Sequence, residues 1–297
     1  MSRVDVIVPS HNYGHFLRQS VESALSQTGV DVRVLIIDDA SQDDTERVCA
    51  EIVQEHPRVE VIRHPVNMGH VATFNDGIER ARGDYMLLLS ADDYLPPGAL
   101  ARAAAVLDAD PGVGLAPGDI HILWPREPSP GAFPEGRRPK ALTTRAAIER
   151  FAWHNFVAAP TAVVRTSVQK ALGGYRPEIP HTADLELWLR FALASRITYV
   201  RWTQAVYRRH PSNMSKGYDD KADFDQSVAA FRLNLDAIDS HEQCGPSLVT
   251  RIDEIFAERA AALAGSSAEP GSAPFFVFPA RVAAARSALT PPYRSAS

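Results

Sequence analysis

Two adjacent carboxylates, Asp92 and Asp93, close an apolar run that begins at Tyr85 and passes through Leu87, Leu88 and Leu89. An apolar run that ends in acids and is followed by Pro96, Pro97 and Gly98 reads as a buried strand opening into a loop. Open α/β sheets bind their ligands at that edge. Two carboxylates about 4 Å apart repel by roughly 4 kcal/mol at an effective dielectric of about 20, and protonation, solvent or a cation relieves the strain. A divalent-metal site is one reading of the pair. Ordinary turn chemistry, in which Asp side chains bond nearby backbone amides, is the other.

The elements that would position these acids alternate along the chain. Residues 4–8 form an apolar β run, followed by the turn-rich loop Pro9-Ser10-His11-Asn12-Tyr13-Gly14 and then Phe16, Leu17, Val21, Ala24 and Leu25 at helical spacing. Residues 32–37 form a second strand that stops at Asp38-Asp39, after which Ser41 and Asp43 can cap a helix carrying Val48, Ile52 and Val53. A strand over 59–62, a helix over 71–81 and the strand over 85–89 continue the alternation. This order predicts an α/β fold with a doubly wound, mostly parallel central sheet flanked by helices. The first strand-to-helix turn lacks G-x-G-x-x-G, and Gly112, Gly114 and Gly118 have the wrong spacing, which argues against a nicotinamide dehydrogenase. That turn is also neither glycine-rich nor basic, as a nucleotidyltransferase phosphate loop would be.

Beyond a helix over 99–107 the chain changes character. Residues 125–140 are crowded with proline, glycine and charge, as expected of a loop lying over a site, and form a candidate lid. A short strand over 162–164, a turn at Gly173-Gly174-Tyr175, and a helix over 184–190 with acids in its first turn follow, then two helices within 219–264. From residue 265 onward Gly, Ser, Ala and Pro suggest a tail. Its Phe275, Phe276, Val277 and Phe278, with Arg281 and Arg286, suit a peripheral membrane contact, a partner or oligomer contact, or a fold-back onto the domain.

Composition sets the outer bounds. With 297 residues, 45% hydrophobic and 23% charged, the chain has the profile of a globular protein able to bury one extended core or two. A net charge of −5 argues against a general nucleic-acid binder. Cys49 and Cys244 belong to no C-x-x-C pair, so neither a zinc cluster nor a disulfide framework is signalled, and a reducing cytoplasm fits best. No signal peptide and no uninterrupted apolar stretch of spanning length is read in the sequence.

Taken in order, Val6-Ile7-Val8-Pro9-Ser10-His11-Asn12, Ser26-Gln27-Thr28, Ile37-Asp38-Asp39-Ala40-Ser41, Asn67-Met68-Gly69, Asn75-Asp76-Gly77-Ile78, Gly83-Asp84-Tyr85 and Ser90-Ala91-Asp92-Asp93 resemble a family-2 glycosyltransferase of the GT-A fold. Gly173-Gly174-Tyr175, the stretch from Asp184 to Arg190, and Tyr207 to Ser215 extend the resemblance, which covers about residues 3–216. It implies a catalytic domain over 1–216, with a nucleotide-binding half to about 110 and an acceptor half beyond, then a helical extension over 217–264 and a tail over 265–297.

The resemblance also implies roles. Pro9, Ser10, His11, Asn12, Asp39, Asn67, Gly69, Ser90, Ala91 and Asp92 would bind the nucleotide, with His11 against the base and Asp39 accepting from its imide N–H, which favours a UDP- or dTDP-type donor. Asp92, with Asp93 and His210, would hold Mn²⁺ or Mg²⁺ across the donor's diphosphate. Asp184 would be the base that takes the proton from an acceptor hydroxyl in a single inverting displacement, with Glu186 in reserve and Trp188 packed beneath. Two positions depart from the family pattern: Ser90 stands where the first acid of D-x-D is usual, and Ala183 where the acid before Asp184 is usual. Those losses keep a second class open, a catalytically silent sugar-nucleotide-binding or scaffold protein.

Overall fold

The structure is a computed structural model that describes residues 1–214 and 219–265. The expectations over residues 215–218 and 266–297, the aromatic tail among them, lie outside the described residues.

Four parallel strands form one half of the sheet: β1 (Arg3–Ser10), β2 (Asp31–Asp38), β3 (Val59–Arg63) and β4 (Tyr85–Leu88), in the order β3-β2-β1-β4. The helices between them are α1 (Gly14–Leu25), α2 (Thr45–Glu55) and α3 (His70–Arg80), and α4 (Ala99–Ala109) follows β4. The strands have little polar surface because both faces are covered. Val4, Val6, Val8, Val34 and Ile36 pack with Leu17, Val21, Val48, Ile52 and Leu100 of α1, α2 and α4. The alternate residues Ile7, Leu35 and Ile37 pack with Val71 and Ile78 of α3 on the opposite face. A strand buried on both faces reads as a continuous apolar run, and this is why residues 32–37 look as they do.

The second half is mixed. Beyond β4 lie β5 (Val113–Ala116), β6 (Gly118–Leu123), β7 (Lys140–Leu142), β8 (Val163–Arg165) and the long β9 (Arg196–Arg208). Strand β8 is antiparallel to both β4 and β5, and β7 is antiparallel to β9. Strand β9 runs parallel to β5 along its first residues and to β6 along the rest, with register shifts between. The doubly wound α/β expectation therefore holds, with antiparallel strands inserted in its second half.

The remaining helices are α5 (Thr144–Trp153), α6 (Thr166–Leu172), α7 (Ala183–Ala194), α8 (Asp220–Leu233), α9 (Leu235–Ser240) and α10 (Pro246–Gly265). Phe151 of α5, Leu187 and Phe191 of α7, Phe231 of α8 and Ile252 of α10 share one buried cluster, so the C-terminal helices pack onto the same core as the sheet. Residues 125–140, expected as a lid, run from β6 to β7 along β9, where the Arg137 amide donates to the Arg201 carbonyl at 2.9 Å and Phe133 packs near Tyr94 and Leu123. The helix-cap expectation at Ser41 is corrected: its hydroxyl accepts instead from the Asn12 amide at 2.9 Å, while Asp43 accepts from the Thr45 amide at 3.0 Å.

One close approach fixes how α3 sits on the sheet. A Cβ at Gly77 would run into the Ile7 side chain of β1. Gly77→Ala is expected to lower stability by about 1–3 kcal/mol through overpacking, measured as a fall in the urea midpoint at unchanged slope.

Candidate functional site

The carboxyl ends of the parallel strands meet at one edge and stay in register past the last strand residue. The Ala91 amide donates to the Pro9 carbonyl at 3.3 Å, the Asp39 amide to the Ser10 carbonyl at 2.9 Å, and the His64 amide to the Asp38 carbonyl at 2.8 Å. Pro9, Ser10, Asp39, Ala91 and Asp92 are thereby brought side by side.

Around Asp39 the backbone is bent into left-handed conformations at Asn12 (φ 60°), Ala40 (φ 54°) and Gly69 (φ 83°). A left-handed alanine costs about 1–2 kcal/mol, so this loop is held by its bonds rather than by preference. His11 donates from Nδ1 to the Asp39 carbonyl at 2.7 Å, and its Nε2 accepts from Asn12 Nδ2 and Asn67 Nδ2, each at 3.1 Å. A single neutral tautomer satisfies all three contacts. His11, Asn12 and Asn67 form one hydrogen-bonded plate.

The Asp39 carboxylate is buried and already well supplied with donors. Its Oδ1 accepts from the Met68 amide and from His64 Nδ1, both at 2.8 Å, and its Oδ2 from the Gly69 amide at 2.9 Å. Burial raises the carboxyl's pKa, but these bonds outweigh it and hold it below the usual carboxylate value. His64 is the functional residue that sequence reasoning missed here. Burial pushes its pKa down, yet Asp39 on one nitrogen and Asp76, 3.3 Å from the other, carry it above the ordinary histidine value. Held between Asp39 and Asp76, His64 favours the ionised, acceptor-only form of Asp39.

At the end of β4, Asp92 Oδ2 lies 3.0 Å from His210 Nε2 and accepts from Asn213 Nδ2 at 3.1 Å. The ring of His210 is in turn packed by Tyr13 and Phe16 of the first loop and helix, at centroid distances of 5.5 and 4.9 Å. Asp93, expected to share the metal, is held by the strand beside it. It is 1% exposed and accepts from the Arg208 amide at 3.0 Å, tying the end of β9 to the loop after β4. Burial, reinforced by the neighbouring Asp92, pushes its pKa well above the usual value.

No group of three His, Cys, Asp or Glu side chains able to hold a metal occurs among the described residues. The donor set of Asp92 and His210, one carboxylate and one imidazole converging within 3.0 Å, fits an ion that takes its other ligands from water and a bound diphosphate. Such partial protein ligation is ordinary for Mg²⁺.

Asp184 reaches the same edge from the other half of the sheet. Only Ser195 separates α7 from β9, so the helix doubles back along the strand; β9, through β5 and β8, runs in the direction of β4. The start of α7 therefore lies at the edge where β1, β2 and β4 end. Contacts tie it there: His70 donates to the Pro180 carbonyl at 3.2 Å, and Asn75 exchanges two bonds with the Tyr175 backbone at 2.9 and 2.7 Å. Half-buried, Asp184 accepts from the Leu185 amide at 2.7 Å and from Asn155 Nδ2 at 2.9 Å. Burial is the dominant effect on its carboxyl and pushes the pKa up to about 7. Asn155, in the loop after α5, carries no sequence pattern that would have found it.

The reserve candidate Glu186 is corrected. It is fully buried, bidentate to Arg190 with a contact of 2.7 Å, and 3.1 Å from Arg176 Nε. Arg190 in turn donates to the carbonyls of Leu172 and Gly174 at 2.6 and 2.7 Å. Glu186 is a strut that holds the turn before α7, and no acceptor can reach it. Glu186→Gln keeps the shape but removes the charge from these bonds, with an expected loss of about 2–3 kcal/mol in unfolding free energy, read by thermal and urea melts. Trp188 is buried in the core.

Among the described residues no helix is long and apolar enough to cross a membrane. A family model described as glycosyl transferase family 2 matches residues 5–170. An uncharacterized protein of Mycobacterium tuberculosis is 28% identical over 223 residues, covering 70% of this chain and 67% of its own. Chondroitin synthase of Escherichia coli is 39% identical over 97 residues, 33% of this chain and 14% of that one. Among solved structures, S. aureus TarS residues 1–349 in complex with UDP-GlcNAc superposes with a TM-score of 0.68 at 18% identity, covering 89% of this chain and 76% of that one. A mannosyltransferase of Pyrobaculum calidifontis, in complex with GDP-Man and Mn²⁺, superposes with a TM-score of 0.56 at 19% identity, covering 96% and 86%. At such identities the structural likeness speaks for the fold.

Proposed function

The chain belongs to glycosyl transferase family 2, and from that premise we propose that it transfers a sugar from a UDP- or dTDP-type donor to a hydroxyl acceptor by a single inverting displacement, with Mn²⁺ or Mg²⁺ assisting. The observation that carries this reading is the Asp184 carboxyl, held by Asn155 at the strand edge that also bears Asp92, with its pKa raised to about 7. A base of that pKa is half-ionised at neutral pH and strong enough to draw a proton from a hydroxyl as its oxygen attacks.

The remaining residues take positional roles. The hydrogen-bonded group of His11, Asn12 and Asn67 would offer a polar surface to the base, and the carboxylate of Asp39, whose carbonyl His11 bonds, would accept from it. A base N–H finds there a carboxylate already oriented by two backbone amides, which favours imide-bearing bases. Asp92 and His210 would hold the divalent ion, which supplies charge neutralisation to the leaving diphosphate. Ser90, lying between the β1 end and Asp92, offers a hydroxyl to the ribose where a carboxylate is more usual.

The test is a thermal-shift screen of sugar nucleotides with and without Mn²⁺, followed by donor hydrolysis with the best binders. A true donor at a hundredfold excess over Kd adds about 2.7 kcal/mol of stability. Uridine or thymidine diphosphate sugars should shift the melt most; equal shifts with adenosine and guanosine counterparts would overturn the donor assignment, and absence of turnover with any binder would overturn the activity.

A further inference from the structure

A small cavity at the start of α7 has room for about one water molecule. Its walls are Thr182 and Asp184 at that helix start, His154 and Asn155 from the loop after α5, Asp223 from α8 and Arg259 from α10. Two of the oxygens on these walls have no hydrogen-bond partner although both are shielded from solvent: Thr182 Oγ1 and Asp223 Oδ1. Thr182 is 2% exposed and stands at the N-cap position of α7 without capping it. A buried hydroxyl and a buried carboxylate oxygen, both unmet in one small polar cavity, are resolved together by a single buried water, which typically makes about three hydrogen bonds.

The third bond is available at Asp184. Its Oδ1 accepts from the Leu185 amide and its Oδ2 from Asn155, and an ionised carboxylate has about four lone-pair sites. The Thr182 hydroxyl can therefore donate to the water oxygen, while the water's two O–H groups donate to Asp223 Oδ1 and to Asp184.

The charged and titratable groups around Asp184 give this bridge a consequence. His154 is neutral near pH 7, because burial pushes its pKa down to about 4, and Tyr175, before α7, is neutral because burial raises its pKa. Asp223 adds a second carboxyl from α8; burial pushes its pKa up to about 6 against the pull of Arg259, so it is mostly ionised at pH 7. Arg259 of α10 supplies the guanidinium, which donates to the Ala152 carbonyl at 2.8 Å and lies over the rings of Phe224 and Phe256. The Asp223 anion works against ionisation of Asp184.

We infer that Asp223 of α8 is a positioning residue for Asp184, joined to it by one buried water that Thr182 also holds. The two parts of the device act in opposite directions. The charge of Asp223 resists ionisation of the base, whereas a hydrogen bond from the water favours the anion. Helices α8 and α10 thereby bear on the proton acceptor without touching substrate.

The inference rests on the reading of Asp184 as the base, and the test follows Asp184 both without and with turnover. Its titration is followed by ¹³C NMR in protein labelled at the aspartate carboxyls, the signal being assigned by its loss in Asp184→Asn. The acid limb of kcat is followed by hydrolysis of the best-binding sugar nucleotide with Mn²⁺. Asp223→Asn keeps the shape and an acceptor oxygen but not the charge, and is expected to move the titration and the acid limb down by about 0.5–1 pH unit. Thr182→Val removes the hydroxyl that holds the water, and is expected to move both curves up by a similar amount, about 0.5–1 pH unit. Thermal melts check that each variant folds. A folded Asp223→Asn in which Asp184 titrates as in the wild type overturns the coupling, and a folded Thr182→Val with no upward shift overturns the water. A purely structural role for either residue would lower kcat evenly across the pH range and leave both curves in place, which also overturns the inference. No hydrolysis by the wild type overturns the transferase reading, while the NMR titration still decides whether Asp223 and the water act on Asp184.

Discussion

Asp184→Asn is expected to lower turnover by about 10²–10⁴-fold, the usual contribution of one positioned base, while UDP affinity stays within a factor of about two to three. The carboxamide is isosteric and keeps an oxygen for the Leu185 amide, but its NH2 now meets the Asn155 donor and it cannot take a proton. The pH profile gives the independent check. The working form of Asp184 is the anion, so wild-type kcat should fall about tenfold for each pH unit below its pKa, which burial sets at about 7, and level off above it. The variant's residual rate should be flat through that window. Stability moves in the opposite sense. A carboxyl whose folded-state pKa is raised above its unfolded value contributes its stability fully below the unfolded value and loses it as pH rises through about 7. Asp184→Asn should therefore melt with the wild type near pH 4 and above it near pH 8. A variant that is inactive and also less stable at pH 8 would indicate a structural role instead.

How much of this was legible in the sequence differs between the two halves of the sheet. The strands β1, β2 and β4 were readable because both of their faces are buried, so their apolar runs are unbroken and stop at acids or turn residues. Asp39 and Asp92 were legible as acids just past the end of an apolar run, although both are themselves buried. The antiparallel inserts were not. Strand β8 contributes three residues between β4 and β5, and the partners that place it, Tyr85, Met86, Leu115 and Ala116, are distant in sequence. Strand β9 carries three register shifts across its pairings and pairs with three other strands, which blurs its alternation. Glu186 looked catalytic because it shares a helix turn with Asp184. Only the structure reveals that Arg176 and Arg190 enclose it. His64 and Asn155 act through one or two contacts each and leave no periodic trace.

The second large effect falls at the end of β4. Asp92→Asn is expected to cut turnover by about 10³-fold, since a metal ion on a leaving diphosphate is worth several kcal/mol of charge stabilisation and each 1.36 kcal/mol is about tenfold. The neutral amide is a weak ligand for a hard cation but can keep a bond to Asn213 or His210, so the fold should hold. The signature lies in linkage between ion and nucleotide. In the wild type, Mn²⁺ should raise the melting temperature of the UDP complex beyond what either ligand gives alone, because each completes the other's coordination. In Asp92→Asn that extra shift should vanish while UDP alone still stabilises through the Asp39 side of the pocket. His210→Gln should fall between, as it removes one ligand and leaves the carboxylate. If Mn²⁺ stabilised the UDP complex of Asp92→Asn as strongly as that of the wild type, the ion would have to be held elsewhere, and the carboxylate that ends β4 would serve only to anchor His210 and Asn213.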